Sequence, residues 1–269
     1  VHPIAFQFGD FKITWYGILV ATGFLAGLWT ASRRALRSNI DPETIFDLGP
    51  WLLVGVILGA RIWYIVSYWN ESFAGQPISE IFKVWHGGLV FYGGLIGASL
   101  ACILFAWRKH LPLWRLADIL APSIALGSFF GRWGCLMNGC CYGKPTTMPW
   151  GIHFPYGHET YPNLVHPTEI YDSTLNLGLY LFLAWLFRRK KFDGQVFAFY
   201  LILYSVIRSF VEIFRGDYTP VHYWGWLTPG QIVSVGVIIA GAILLWKLPR
   251  AEKKTDIHPL VKAPLADKV

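Results

Sequence analysis

Long apolar runs separated by short polar gaps dominate the chain. Seven of them approach the about 20 residues that a helix needs to cross a bilayer core: 13–30, 46–68, 87–107, 116–137, 170–187, 196–214 and 229–246. Each predicts one transmembrane helix, and together they predict an all-α integral membrane bundle of seven transmembrane helices. No basic stretch precedes the first run, so it is read as a retained span rather than a cleaved signal. The connection 138–167 is long and rich in Pro and Gly, as expected of a periplasmic loop or small cap. Residues 1–247 form the membrane domain in this reading. The polar stretch 248–269 is expected to be a disordered cytoplasmic tail.

Small residues recur at helix-contact spacing. Gly23/Gly27, Gly55/Gly59, Gly93/Gly97 and Gly127/Gly131 each form a GxxxG, which lets backbones approach closely.

Composition narrows the class. Hydrophobic residues make up 54% of the chain and charged residues 14%, against about 25% charged in soluble domains. Aromatic residues reach 17%, with 14 Trp, and Trp and Tyr gather at membrane interfaces. A net charge of +7 could suit nucleic acid, yet the basic residues sit in short gaps between apolar runs, so no nucleic-acid partner is expected. Sixteen of the 23 Lys and Arg fall in alternate gaps and the C-terminal tail, four lie on the opposite side, and Arg61, Arg132 and Arg208 fall inside spans. The positive-inside rule then places the N-terminus outside and the C-terminus in the cytoplasm.

Arginine inside a bilayer costs about 2.5–3.5 kcal/mol at a span centre, so these three require partners or a wet cavity. At 1.5 Å per residue, Arg132, Arg61 and Arg208 lie roughly 24, 22 and 18 Å from the cytoplasmic starts of their spans, in the outer half. Tyr16, His86, Tyr92, His166 and Glu169 fall at the same level. Arg208, Glu212 and Arg215 sit at i, i+4 and i+7, on one helix face, and Glu212 is expected to neutralise one arginine and leave a cationic surplus. Such a pocket selects an anionic head group, and the planar guanidinium binds phosphate with paired hydrogen bonds. A phospholipid fits. In the segment from Gly131 to Gly143, glycines at 131, 134, 139 and 143 would let the fourth span break and turn near a bound anion.

The segment Gly131-Arg132-Trp133-Gly134-Cys135-Leu136-Met137-Asn138-Gly139-Cys140-Cys141-Tyr142-Gly143 resembles the signature of the bacterial prolipoprotein diacylglyceryl transferases. Trp15-Tyr16-Gly17 and the run from Trp85 to Gly97 also resemble that family in order, as do His166-Pro167-Thr168-Glu169-Ile170-Tyr171 and Arg208, Glu212 and Arg215 with Gly216-Asp217. Two positions depart from it: many members carry His where this chain has Tyr92, and Asn where it has Cys135. The resemblance implies transfer of the sn-1,2-diacylglyceryl group from phosphatidylglycerol to the lipobox cysteine of a prolipoprotein, at the periplasmic side of the bacterial inner membrane. A thioether forms and sn-glycerol 1-phosphate leaves.

Arg132, Arg208, His86, Tyr92 and Tyr16 are the expected catalytic residues. Phosphatidylglycerol is expected to meet Arg132, Arg208, Arg61, Arg215, Asn138, Gly143, Glu212 and His166. His86 or His166 would take the thiol proton, since a cysteine thiol at a pKa of about 8.5 needs only a modest base. Prolipoprotein signal peptides and membrane lipids are the expected partners, with no cofactor and no metal.

Two other readings remain open: a transporter or channel for an anionic solute, and a thiol-redox membrane enzyme built on Cys135, Cys140 and Cys141. Transporter sites favour the midplane and internal repeats. Cys140 and Cys141 are adjacent and form no CxxC, and four cysteines are too few for a disulfide framework.

Overall fold

A computed structural model of the chain describes residues 3–9, 11–83, 87–217 and 228–256. The expected base His86 and residues 257–269 of the expected tail lie outside the described residues. Among these residues, seven helices are long and apolar enough to cross a membrane: α1 (Trp15–Leu36), α2 (Pro42–Ser67), α3 (Phe91–Arg108), α4 (Leu113–Asn138), α5 (Thr168–Phe187), α6 (Gln195–Glu212) and α7 (Pro229–Asp256). The all-α, seven-span class expected from the apolar runs is therefore the architecture found. Many large apolar side chains face outward, among them Leu25, Leu58, Val66, Trp107 and Ile239, an exterior that only a hydrocarbon solvent favours.

The ends of the helices differ from the apolar pattern in ways that have local causes. Residues 13 and 14 belong to an antiparallel hairpin, β1 (Ile4–Phe8) with β2 (Phe11–Thr14), paired Phe8 to Phe11 and Ile4 to Thr14. Apolar and polar residues alternate through Phe11-Lys12-Ile13-Thr14 and Gly9 takes a φ of 60° at the turn, a strand-turn signal that the apolar-run criterion does not see. The third helix begins at Phe91 rather than 87, because Gly87 and Gly88 hold φ values of 88° and 75°, outside the helical region. Helix α7 continues through Pro249 to Asp256, beyond the apolar run.

The chain divides into two compact units. In the unit Phe24–Ser123, α2 and α3 cross at their small residues. A Cβ on Gly59 would lie 2.3 Å from the Gly93 carbonyl oxygen, and one on Gly97 would lie 2.0 Å from that of Gly55. Two of the four GxxxG pairs thus mesh with each other. Arg34 is buried in the same unit. Its Nε donates to the Ile119 carbonyl (3.0 Å) and its guanidinium reaches the Ser123 hydroxyl (2.5 Å), so this residue of the basic gap serves packing as well as charge bias.

The other unit comprises Val1–Gly23 and Ile124–Val269. Here Gly23 approaches Gly127 and Phe130 of α4, and the Ser173 hydroxyl on α5 donates to the Phe129 carbonyl of α4 (3.2 Å). The long connection between α4 and α5 folds as a cap with its own small core of Tyr142, Phe154 and Val165, flanked by Leu136 and Ile152.

Candidate functional site

Helix α4 stops at Asn138 because Gly139 adopts a φ of 73°, the left-handed conformation that ends helices and suits glycine. Gly131 and Gly134 remain helical, so the expected break falls at one glycine only. Gly134 serves a different purpose: a Cβ there would lie 3.0 Å from the Tyr16 ring, so its absence lets Tyr16 lie against α4.

Past the turn, three segments distant in sequence are stitched together at Gly143. Its N–H donates to the His166 carbonyl (3.0 Å), the Lys144 N–H to Phe214 (2.8 Å), the His166 N–H to Lys144 (3.0 Å) and the Gly216 N–H to Tyr142 (3.1 Å). A Cβ on Gly143 would stand 2.5 Å from the His166 oxygen and 2.9 Å from that of Phe214. Only glycine fits. The Thr168 hydroxyl at the head of α5 donates to the Cys141 carbonyl (2.6 Å), and Lys144 Nζ to that of Ile213 (2.8 Å). The ends of α4, α5 and α6 are fixed here by backbone bonds.

Each arginine of this unit's site carries its own acid. Arg132 Nε lies 2.7 Å from Asp172 Oδ2 on α5, and Arg208 pairs with Glu212 one turn on. Arg215 holds Asp217 through both edges, Nε to Oδ1 at 2.9 Å and a terminal nitrogen to Oδ2 at 2.5 Å. The cationic surplus expected with Glu212 as the main acid is therefore corrected: Asp172 and Asp217 balance two more charges. The reason is burial. Asp172 and Glu212 side chains are 4% and 3% exposed, and a desolvated carboxylate requires a counter-charge.

Arg132, Arg208 and Arg215 all lie within electrostatic reach of Asp172, and Arg132 touches it. Asn176 Nδ2 donates to the Asp172 carboxylate (2.6 Å). Tyr204 of α6 lies within electrostatic reach of both Arg132 and Arg208. Burial works against the charge on Arg215, but the hydrogen-bonded Asp217 carboxylate outweighs it and the group holds its proton more firmly.

His166 Nδ1 lies 3.2 Å from the Tyr171 hydroxyl, which accepts from Trp150 Nε1 at 2.7 Å. Glu169 is 1% exposed and neither carboxylate oxygen makes a well-formed hydrogen bond. The sulfurs of Cys135, Cys140 and Cys141 lie within 4.8 Å of one another and are not disulfide-bonded. The Cys140 thiol donates to the Cys135 carbonyl (3.7 Å).

Among the described residues, two of the expected site residues belong to the other unit. Arg61, 8% exposed, donates to the carbonyls of Ile81 (2.9 Å), Gly87 (2.8 Å), Gly88 (3.2 Å) and Glu80 (2.6 Å). Its fork is occupied by the segment leading into α3. Tyr92 is 58% exposed, with its ring edge-on to Phe91. Asp172, Tyr204 and Asn176 were not singled out by the sequence reading. An available signal was Asp172 itself, an acid inside an apolar run with Asn176 four residues on.

A family model described as prolipoprotein diacylglyceryl transferase matches residues 3–247. Among curated relatives, the phosphatidylglycerol–prolipoprotein diacylglyceryl transferase of Finegoldia magna is 39% identical over 254 residues, covering 94% of this chain and 98% of the relative. Proteins of the same name from Synechococcus elongatus and Nitratidesulfovibrio vulgaris are 38% and 39% identical, covering 91% and 95% of this chain and 86% and 97% of the relatives.

Proposed function

The chain belongs to the prolipoprotein diacylglyceryl transferase family, and from that membership we propose that it transfers the sn-1,2-diacylglyceryl group of phosphatidylglycerol to the lipobox cysteine thiol of a prolipoprotein. The observation that carries the reading is the trio Arg132, Arg208 and Arg215, each held in place by its own carboxylate at Asp172, Glu212 and Asp217.

The thiol gives its proton to a histidine base, His86 or His166, and the sulfur attacks the glyceryl carbon that bears the phosphate ester. The C–S bond forms as the C–O bond breaks, and sn-glycerol 1-phosphate departs with the electron pair. Negative charge therefore builds on the leaving phosphate, and pre-positioned cations in a water-poor site lower that barrier most effectively. A guanidinium has five N–H donors. Arg132 meets Asp172 through Nε and Arg208 meets Glu212 through one terminal nitrogen, so Arg132 and Arg208 are assigned to the phosphate. Arg215 spends its paired edge on Asp217 and is assigned to holding the junction at Gly143. Arg61 is assigned to shaping the segment before α3.

Tyr16, packed on Gly134 beside the signature segment, orients the head group, with Asn138 and His166 on the same side. The lipid chains stay in the bilayer while the phosphate enters from the periplasmic leaflet of the inner membrane. That orientation rests on the bias of Lys and Arg among the connecting segments, with the N-terminus outside.

The test uses purified protein in detergent with phosphatidylglycerol and a lipobox peptide, read by mass. A peptide gaining one diacylglyceryl group, lost with Arg132→Ala, supports the reading. Folded protein that gives no thioether rejects it.

A further inference from the structure

Helix α4 ends on an arrangement that the transfer chemistry does not use. Cys135 lies in its last turns, and Cys140 and Cys141 follow directly after the Gly139 turn, with all three sulfurs within 4.8 Å of one another. We propose that Cys135, Cys140 and Cys141 form a three-sulfur binding site for one thiophilic metal ion of the zinc(II) or copper(I) class.

The distances suit such an ion. A metal–sulfur bond is about 2.3 Å long, which places three sulfurs around one ion about 4 Å apart, so the cluster has to contract by less than about 1 Å. The donor set selects the metal class: three thiolates with no carboxylate among them favour soft cations over magnesium or calcium.

The surroundings match the needs of a metal thiolate. Asn138 Nδ2 points at Cys140 Sγ (3.7 Å), the amide-to-sulfur contact that orients ligands from outside the coordination sphere. The backbone brings Cys140 back over the helix end, its N–H donating to the Cys135 carbonyl (3.1 Å). Arg132 lies within electrostatic reach of Cys135 and Cys141, so a cation already faces the negative charge that three thiolates bring. All three cysteines are partly exposed.

Binding is an acid–base exchange without change of oxidation state. Each thiol that ligates gives its proton to solvent, and the ion joins three sulfurs. It would tie the last turns of α4 to the segment that carries Gly143. The proposal does not depend on the transferase reading.

The test takes the reduced, chelator-treated full-length protein and titrates it with cadmium(II), zinc(II) and copper(I) separately. One equivalent per chain is expected, with a thiolate-to-cadmium band in the ultraviolet and three sulfur neighbours by X-ray absorption of the unmutated protein. Cys135→Ser, Cys140→Ser and Cys141→Ser should each lose the tight equivalent, and Cys102→Ser should keep it. The X-ray count on unmutated protein stands even where a serine variant unfolds. Zinc or copper binding at one equivalent with three sulfurs identifies which ion the site prefers and supports the proposal. No thiolate band, fewer than three sulfurs, a band that survives Cys135→Ser, or a disulfide within the trio in protein purified without oxidant overturns it.

Discussion

Arg132 of α4 and Asp172 of α5 meet at 2.7 Å, and the Asp172 side chain is only 4% exposed. One partner comes from the signature segment, which ends at Gly143, and the other from a helix that begins only at Thr168. The carboxylate is further held by Asn176 and lies within reach of Arg208 and Arg215. It therefore fixes where the Arg132 guanidinium stands before any phosphate arrives.

Removing that carboxylate should damage both stability and catalysis. Asp172→Asn leaves a desolvated guanidinium without its counter-charge, a loss of about 3 kcal/mol for a pair this buried. A lowered thermal midpoint together with slower thioether formation is expected. Arg132→Lys should also fail to restore activity, because a point charge cannot reproduce the planar fork. Full turnover by Arg132→Lys in the peptide assay would refute the assigned role.

Gly143 and Gly131 both belong to the signature segment, yet their tolerance should differ. Gly143→Ala drives a methyl to 2.5 Å from the His166 oxygen, whereas a Cβ on Gly131 meets nothing within 4 Å. Gly143→Ala is expected to cost about 1–3 kcal/mol and most of the activity. Gly131→Ala should be close to neutral in thermal unfolding of the detergent-solubilised protein.

The same contrast applies to helix contacts. Gly59→Val places atoms where the Gly93 carbonyl lies 2.3 Å from a Cβ, while Gly236 has open space around it. Gly59→Val should abolish accumulation of folded protein in the membrane, and Gly236→Ala should leave the yield unchanged on a fluorescence-detected size-exclusion profile.

In the cap, the His158 ring stacks on Phe154 at 4.2 Å and its Nε2 lies 2.9 Å from the Gly139 carbonyl oxygen. His158→Ala removes a ring stack worth about 0.5–1.5 kcal/mol and the tie to the helix end. Faster proteolysis within 138–167 is expected, with the helices intact by circular dichroism. An unchanged cleavage rate would show that the small core holds the cap alone.

The amino-acid sequence by itself determined the solvent and the number of spanning helices, because hydrocarbon forces every spanning backbone into continuous apolar helix and such runs can be read residue by residue. It also marked Arg132 and Arg208 as residues that must have a purpose, since charge inside an apolar run is costly. It did not reveal the hairpin of Ile4–Phe8 and Phe11–Thr14, whose period-two alternation is short beside the run that follows. Nor did it show which acid answers which arginine. Glu212 was visible because it shares a helix face with Arg208, whereas Asp172 reaches Arg132 across two helices and Asp217 folds back on Arg215 beyond the helix end. Contacts at fixed local spacing follow from helix geometry alone. Contacts such as Gly143 against His166 and Phe214 exist only once separate segments have closed on each other, and that closure is a property of the packed chain.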